Sequence, residues 1–218
     1  MNLYAFKNRF KYGYKKFFAI LFGMLGLAAQ IVAFVLEIVT GTMEGSPNIL
    51  SLITHVFILI AYYYLLSGNI RGTTIAYRGF LIFVFYTIID FAFFLIEDLI
   101  GSFGSFASGE MGPIVLEIIF IGFSVLCFLS GVMTYIKFRQ YQSFGYKTTY
   151  ENVRNWCLLF TILTVVVYGG SIPIYFLILY PGLDPSTGLA AFILIFIEPI
   201  ATMMIAICSY FTILRLKD

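Results

Sequence analysis

Charge is scarce in this chain. Only 11% of its 218 residues are Asp, Glu, Lys or Arg, whereas 61% are hydrophobic. Soluble domains carry about 25% charged and about 45–50% apolar residues. One soluble core of this size cannot enclose so much apolar surface, so lipid is the natural solvent for the excess. Histidine is nearly missing: His55 is the only one, which excludes a His-rich zinc site. The three cysteines, Cys127, Cys157 and Cys208, fit neither a zinc nor a redox spacing and are too few for a disulfide framework. In their apolar surroundings they read as small buried residues. A net charge of +2 without a basic stripe excludes nucleic acid as a partner. Phosphate-binding loops, Gly-rich dinucleotide turns and G-x-S-x-G elbows are also missing. The Glu97–Asp98 pair lacks the following arginine and the further histidines of a glutamate-type prenyl-protein protease. An intramembrane enzyme is therefore only a second alternative, and no cofactor is indicated.

Long apolar runs take the place of these motifs. A spanning helix needs about 20 mostly apolar residues, and six stretches qualify: 17–38, 49–67, 79–100, 113–136, 156–180 and 189–214. The first follows a basic N-terminal segment, as a signal sequence would. It is too long for a signal core and ends at no small-residue cleavage site, so it reads as a transmembrane helix. The separators GTMEGSPN, SGNIRGTT, GSFGSFASGEMG and PGLDPSTG have turn chemistry. Pro113 suits the first turn of the fourth helix. The segment KFRQYQSFGYKTTYENVRN reads as the longest connection, with room for a short interfacial helix. Continuous apolar runs of this length argue against a β-barrel, whose strands would alternate over about 10 residues. The expected fold is thus an all-α membrane protein: one transmembrane domain, residues 1–218, of about six helices.

The basic residues orient the bundle. Lys7, Arg9, Lys11, Lys15 and Lys16 precede the first helix; Arg71 and Arg78 lie between the second and third. Lys137, Arg139, Lys147 and Arg154 lie between the fourth and fifth, and Arg215 and Lys217 follow the sixth. These are all 13 of the chain's Lys and Arg, and the other three loops hold none. The positive-inside rule then puts both termini in the cytoplasm. Six helices divide into three plus three, and the second trio would start from the opposite side of the membrane, an arrangement common in transporters. The expected location is a bacterial cytoplasmic membrane.

Acids inside the runs are the expensive residues, at about 2.5–3.5 kcal/mol or more each at mid-bilayer. Asp90 lies about 16 Å into the third helix and Glu198 about 14 Å into the sixth, at 1.5 Å per residue. Glu37, Glu97, Asp98 and Glu117 fall nearer the outer ends, and His55 enters from the same side. Gly23, Gln30 and Glu37 recur every seventh residue, flanked by Gly26 and Ala33; Glu117, Ser124 and Gly131 repeat the pattern on the fourth run. Small and polar residues on one face mark helix contact in membranes, so these acids are expected to face the bundle. Tyr62, Tyr63 and Tyr64 read as an interfacial row at the inner end of the second helix.

Pro199 directly follows Glu198, and Gly169, Gly170 and Pro173 interrupt the fifth run. Such breaks free backbone carbonyls and offer hinges. Beside carboxylates, freed carbonyls make a cation or substrate site. The expectation is an outward-facing acidic cavity with Asp90, Glu198, Glu37, His55 and Glu117 as ligand-binding candidates, and Gly169, Gly170, Pro173 and Pro199 as hinge candidates. The matching function is a transporter, or the substrate-binding subunit of one, for a small solute or cation. The chain's modest length favours other membrane subunits or a homo-oligomer beside the lipid bilayer. The alternative is a non-catalytic structural or assembly subunit of a larger complex.

The charge pattern makes a direct topological prediction. A fluorescent protein fused after Asp218 should fluoresce in bacterial cells, and alkaline phosphatase fused at Asp184 should be active. The opposite pair of results would invert the assignment.

Overall fold

Water is missing from a bilayer core, so each backbone N–H and C=O must be paired within its own segment, and a helix does this for a single run. The computed structural model describes residues 3–43, 49–108, 111–144, 147–179 and 188–215. It is all-helical over these residues: α1 Leu3–Met43, α2 Ile49–Arg71, α3 Thr73–Ser108, α4 Met111–Phe144, α5 Lys147–Leu179 and α6 Gly188–Ile213. All six are long and apolar enough to cross a membrane. Each coincides with one of the six expected runs.

Most are longer than the runs that announce them. α1 has 41 residues, about 60 Å at 1.5 Å per residue, twice the hydrocarbon thickness. The expected long connection between the fourth and fifth runs is also mostly helix, since α4 continues to Phe144 and α5 begins at Lys147. α3 likewise runs through GSFGSFAS to Ser108. Polar residues outside the hydrocarbon do not end a helix; they only end the apolar signal from which a span is read. The segments 44–48, 109–110 and 180–187, expected as outer loops, lie outside the described residues.

The described residues fall into two compact units, one from Met1–Phe83 and Tyr168–Asp218, the other Val84–Val167. In the first unit α1 packs on α6 and α2, and α2 on α6. The contact face of α1 is a stripe of small residues: Ala19, Gly23, Gly26 and Ala33 are buried, with Gln30 among them. The opposite face exposes Met24, Leu25, Ile31, Val32 and Val35. An apolar outside with a small-residue seam inside is the pattern of lipid-embedded helices, which associate by close packing and interhelical hydrogen bonds.

Gly26 shows why the seam must be small. A Cβ there would collide with the Tyr62 hydroxyl and come within 2.8 Å of Met204 Cβ, so α1 can pass Tyr62 only without a side chain. Gly68 does the same for the α2–α3 hairpin, where a Cβ would strike the backbone of Ala76. That hairpin turns at Gly72, whose N–H donates to the Gly68 carbonyl at 2.8 Å.

The end of the first unit where α2 and α6 terminate is closed by cations on helix C-termini. Lys15 donates to the Leu214 carbonyl at 2.9 Å. Arg215 donates to the Asn69 carbonyl at 3.2 Å and to Asn69 Oδ1 at 2.6 Å. Asn69 in turn donates to Thr212 Oγ1 at 2.8 Å. The carbonyl ends of α2 and α6 thus lie together, facing the basic start of α1, as the helix dipole favours. Farther in, Cys208 donates to the Ala19 carbonyl at 3.1 Å.

The second unit has a different interior. Ser124, Cys127, Ser130, Gly131, Thr134 and Phe138 form a buried stripe on α4. Thr134 bonds back to the Ser130 carbonyl at 2.7 Å, Ser130 to Cys127 at 2.9 Å, and Thr164 on α5 to Phe160 at 2.8 Å. These hydroxyls therefore meet their needs within their own helices. Gly131 sits against Ile88 and Phe160.

Gly26→Ala should lower the stability of the detergent-solubilised protein by about 1–3 kcal/mol through overpacking. Gly122→Ala is the control, because a Cβ at Gly122 meets nothing within 4 Å. It should be neutral or stabilising by up to about 1 kcal/mol. Thermal unfolding of both variants checks the pair.

Candidate functional site

Besides Asn69 and Thr212, the first unit buries a second polar pair among its apolar helices. Gln30 on α1 is 0% exposed and His55 on α2 is 1% exposed. Gln30 Nε2 and His55 Nδ1 lie 2.6 Å apart. An amide nitrogen can only donate, so Nδ1 accepts, and the neutral ring then carries its proton on Nε2. Two atoms of the pair, Gln30 Oε1 and His55 Nε2, have no hydrogen-bond partner among the described residues. An unmet polar atom in such a place costs about 1–3 kcal/mol.

The surroundings of the pair follow from helix register. Lys15 meets Leu214, Ala19 meets Cys208, and Gly26 faces Met204, so α1 and α6 run antiparallel. Carried one turn outward, this register sets Gln30 level with Pro199. Pro199 is buried within α6. It has no N–H to give to the Ile195 carbonyl one turn earlier, which is therefore left without its helical donor. His55 packs edge-on against Phe34, ring centroids 6.1 Å apart. Glu37, two turns along α1 from Gln30, is half-buried and within electrostatic reach of His55.

Below the pair, Tyr62 closes the interior. It is 0% exposed, whereas its neighbour Tyr63 is 62% exposed. Its hydroxyl donates to the Ala201 carbonyl at 2.5 Å. Tyr62 is therefore an internal brace between α2 and α6, and not part of an interfacial row. The sequence places three tyrosines side by side; helical rotation sends one inward and one outward.

The candidate residues divide between the units. Glu37, His55, Glu198 and Pro199 belong to the first, as do Gly169 and Gly170; Asp90 belongs to the second. Glu198 is half-buried, and its carbonyl accepts from Thr202 Oγ1 at 3.2 Å. Asp90 is half-buried and accepts from the Tyr86 hydroxyl at 3.4 Å. α5 is helical through Gly169, Gly170 and Pro173. The side chains of Glu97, Asp98, Glu117 and Pro173 lie outside the described residues. No cluster of three or more His, Cys, Asp or Glu suited to a metal ion occurs among the described residues. Gln30 is the addition to the candidate set. It carries a signal in the sequence, an amide in a small-residue stripe, but reads there as a contact residue.

No protein-family model, curated protein or solved structure matches this chain.

Gln30→Leu should destabilise the protein by about 1–3 kcal/mol, because it leaves Nδ1 of His55 buried and unmet. Adding His55→Phe should recover part of that loss. Interhelical polar pairs in membranes couple by about 0.6–1.7 kcal/mol. A double-mutant cycle in a denaturing-detergent titration measures the coupling, and additive losses would show that the pair does not interact.

Proposed function

We propose that this polytopic membrane protein binds a small solute or cation in the outer half of its helices and serves in its transport, alone or as the binding subunit of a larger assembly. The observation that carries this reading is the buried Gln30–His55 pair with its two unmet atoms. Lipid offers no hydrogen bonds, so two unmet atoms on one buried pair are costly, and a bound solute would relieve that cost. The half-buried carboxylate of Glu37 and the carbonyl released by Pro199 add to the same region. Glu198, on the same helix as Pro199, and Asp90 extend the set of polar groups within the helices.

In this reading both termini are cytoplasmic, the membrane is a bacterial plasma membrane, and the acids open towards the outside. Complete segregation of Lys and Arg supports that orientation. The helices form two trios of opposite orientation. Gly169 and Gly170 stand where α5 passes from one unit to the other, which suits a hinge.

The test is native mass spectrometry of the protein extracted gently from its own membrane, followed by thermal-shift titration of the ligand found. A small-molecule adduct on the chain or its homo-oligomer is expected. Affinity should fall in Glu198→Gln and Glu37→Gln while expression and monodispersity persist. Unchanged affinity in both variants would remove those acids from the site. Stoichiometric membrane proteins and no small molecule would replace the reading with that of a structural or assembly subunit.

A further inference from the structure

The chemistry of the unmet pair says more than that something binds; it restricts what can bind. This rests on the binding reading above. As placed, the pair leaves one acceptor, Gln30 Oε1, and two donors, His55 Nε2–H and the second amide N–H of Gln30, beside the 2.6 Å contact. Turning the amide over exchanges the roles inside the pair. Oε1 then accepts from Nδ1–H, leaving an amide N–H donor and a bare Nε2 acceptor. Both arrangements leave one acceptor together with donor hydrogens on the pair.

A cation is a poor match. Hard cations take six to eight oxygens, and the pair supplies one carbonyl oxygen beside a donor hydrogen. No cluster of metal-ligating side chains exists among the described residues. An anion is a poor match too. The carboxylate of Glu37 lies within electrostatic reach of His55. All the Lys and Arg of the chain lie outside the six apolar runs, apart from their ends. What fits is a group that donates and accepts at once and carries no charge.

We infer that Gln30 and His55 form the recognition point for an uncharged small solute bearing a hydroxyl or a primary amide. The solute's hydrogen goes to the free acceptor, and its oxygen takes the free donor. Phe34, edge-on to the ring of His55, supplies an apolar wall of the kind that surrounds a few convergent polar groups in small-molecule sites.

The experiment uses the purified full chain in two formats. One is a thermal-shift panel in detergent; the other is stopped-flow light scattering of proteoliposomes. The probes are glycerol, erythritol, urea and acetamide, against sodium, potassium, calcium and acetate salts. At least one neutral probe should stabilise the protein or enter proteoliposomes faster than protein-free vesicles, while the salts do neither. That response should weaken about tenfold in Gln30→Met and His55→Leu, the fold-change for losing one buried hydrogen bond. His55→Gln, whose amide reaches towards the place of Nε2, should retain more of it than His55→Leu.

A response to a cation but to no neutral probe would overturn the solute class and leave the binding reading standing. A neutral-probe response unchanged in all three variants would remove the pair from the site. No response to any probe in either format would overturn both readings and leave the pair as interhelical adhesion. The wild-type panel decides the class even where a variant fails to fold.

Discussion

A membrane interior offers no hydrogen bonds, and nearly every feature of this molecule follows from that constraint. It makes the backbone helical wherever the chain is in lipid. It sends the hydroxyls of Ser130, Thr134 and Thr164 back to carbonyls of their own helices. Where α2 and α6 end, Asn69 bonds Thr212 and Arg215, and Lys15 and Arg215 take carbonyls near the ends of the two helices. Against this pairing, Gln30 Oε1, His55 Nε2 and Ser209 Oγ are the exceptions among the described residues, and the first two lie on one hydrogen-bonded pair, with a price in stability. The contrast with the second unit's self-satisfied hydroxyls makes that pair, and not the polar α4 stripe, the place to look for chemistry.

The same constraint changes what holds helices together. Lipid tails are as apolar as leucine, so burying an isoleucine between two helices gains little over leaving it in lipid. Contact has to come from close approach and from polar groups that prefer each other to hydrocarbon. The α1 seam uses both. Gly23 and Gly26 let α1 approach Leu66, Tyr62 and Met204 closely, and the Tyr62 hydroxyl ties α2 to α6 through the Ala201 carbonyl. On α1 the large apolar side chains Met24, Leu25, Ile31, Val32 and Val35 face outward instead.

These two effects place the candidate site. Tyr62 closes the interior on the inner side of the Gln30–His55 pair, and Glu37 lies on the other side, farther along α1. Pro199 stands at the level of Gln30, where a missing N–H releases a carbonyl. A few polar groups with apolar walls can recognise a ligand strongly, because every hydrogen bond made there replaces one that lipid cannot supply.

The sequence alone determined the class of the molecule. Six apolar runs in a chain with 11% charged residues admit few alternatives to six membrane helices, because hydrocarbon tolerates so few backbone solutions. It also marked the seam of α1, since glycines and an amide at helical spacing have little other use in lipid. It did not reveal the helix ends, because a helix leaving the hydrocarbon keeps its backbone bonds while losing its apolar signature; α4 and α5 both extend through residues that read as loop. Nor did it separate Tyr62 from Tyr63 or show that Gln30 meets His55. Those outcomes depend on the rotation and register of one helix against another, set by contacts between residues far apart in the chain. Composition limits what each helix can be. Only packing decides which polar atoms find partners and which, Gln30 Oε1, His55 Nε2 and Ser209 Oγ among the described residues, are left unmet.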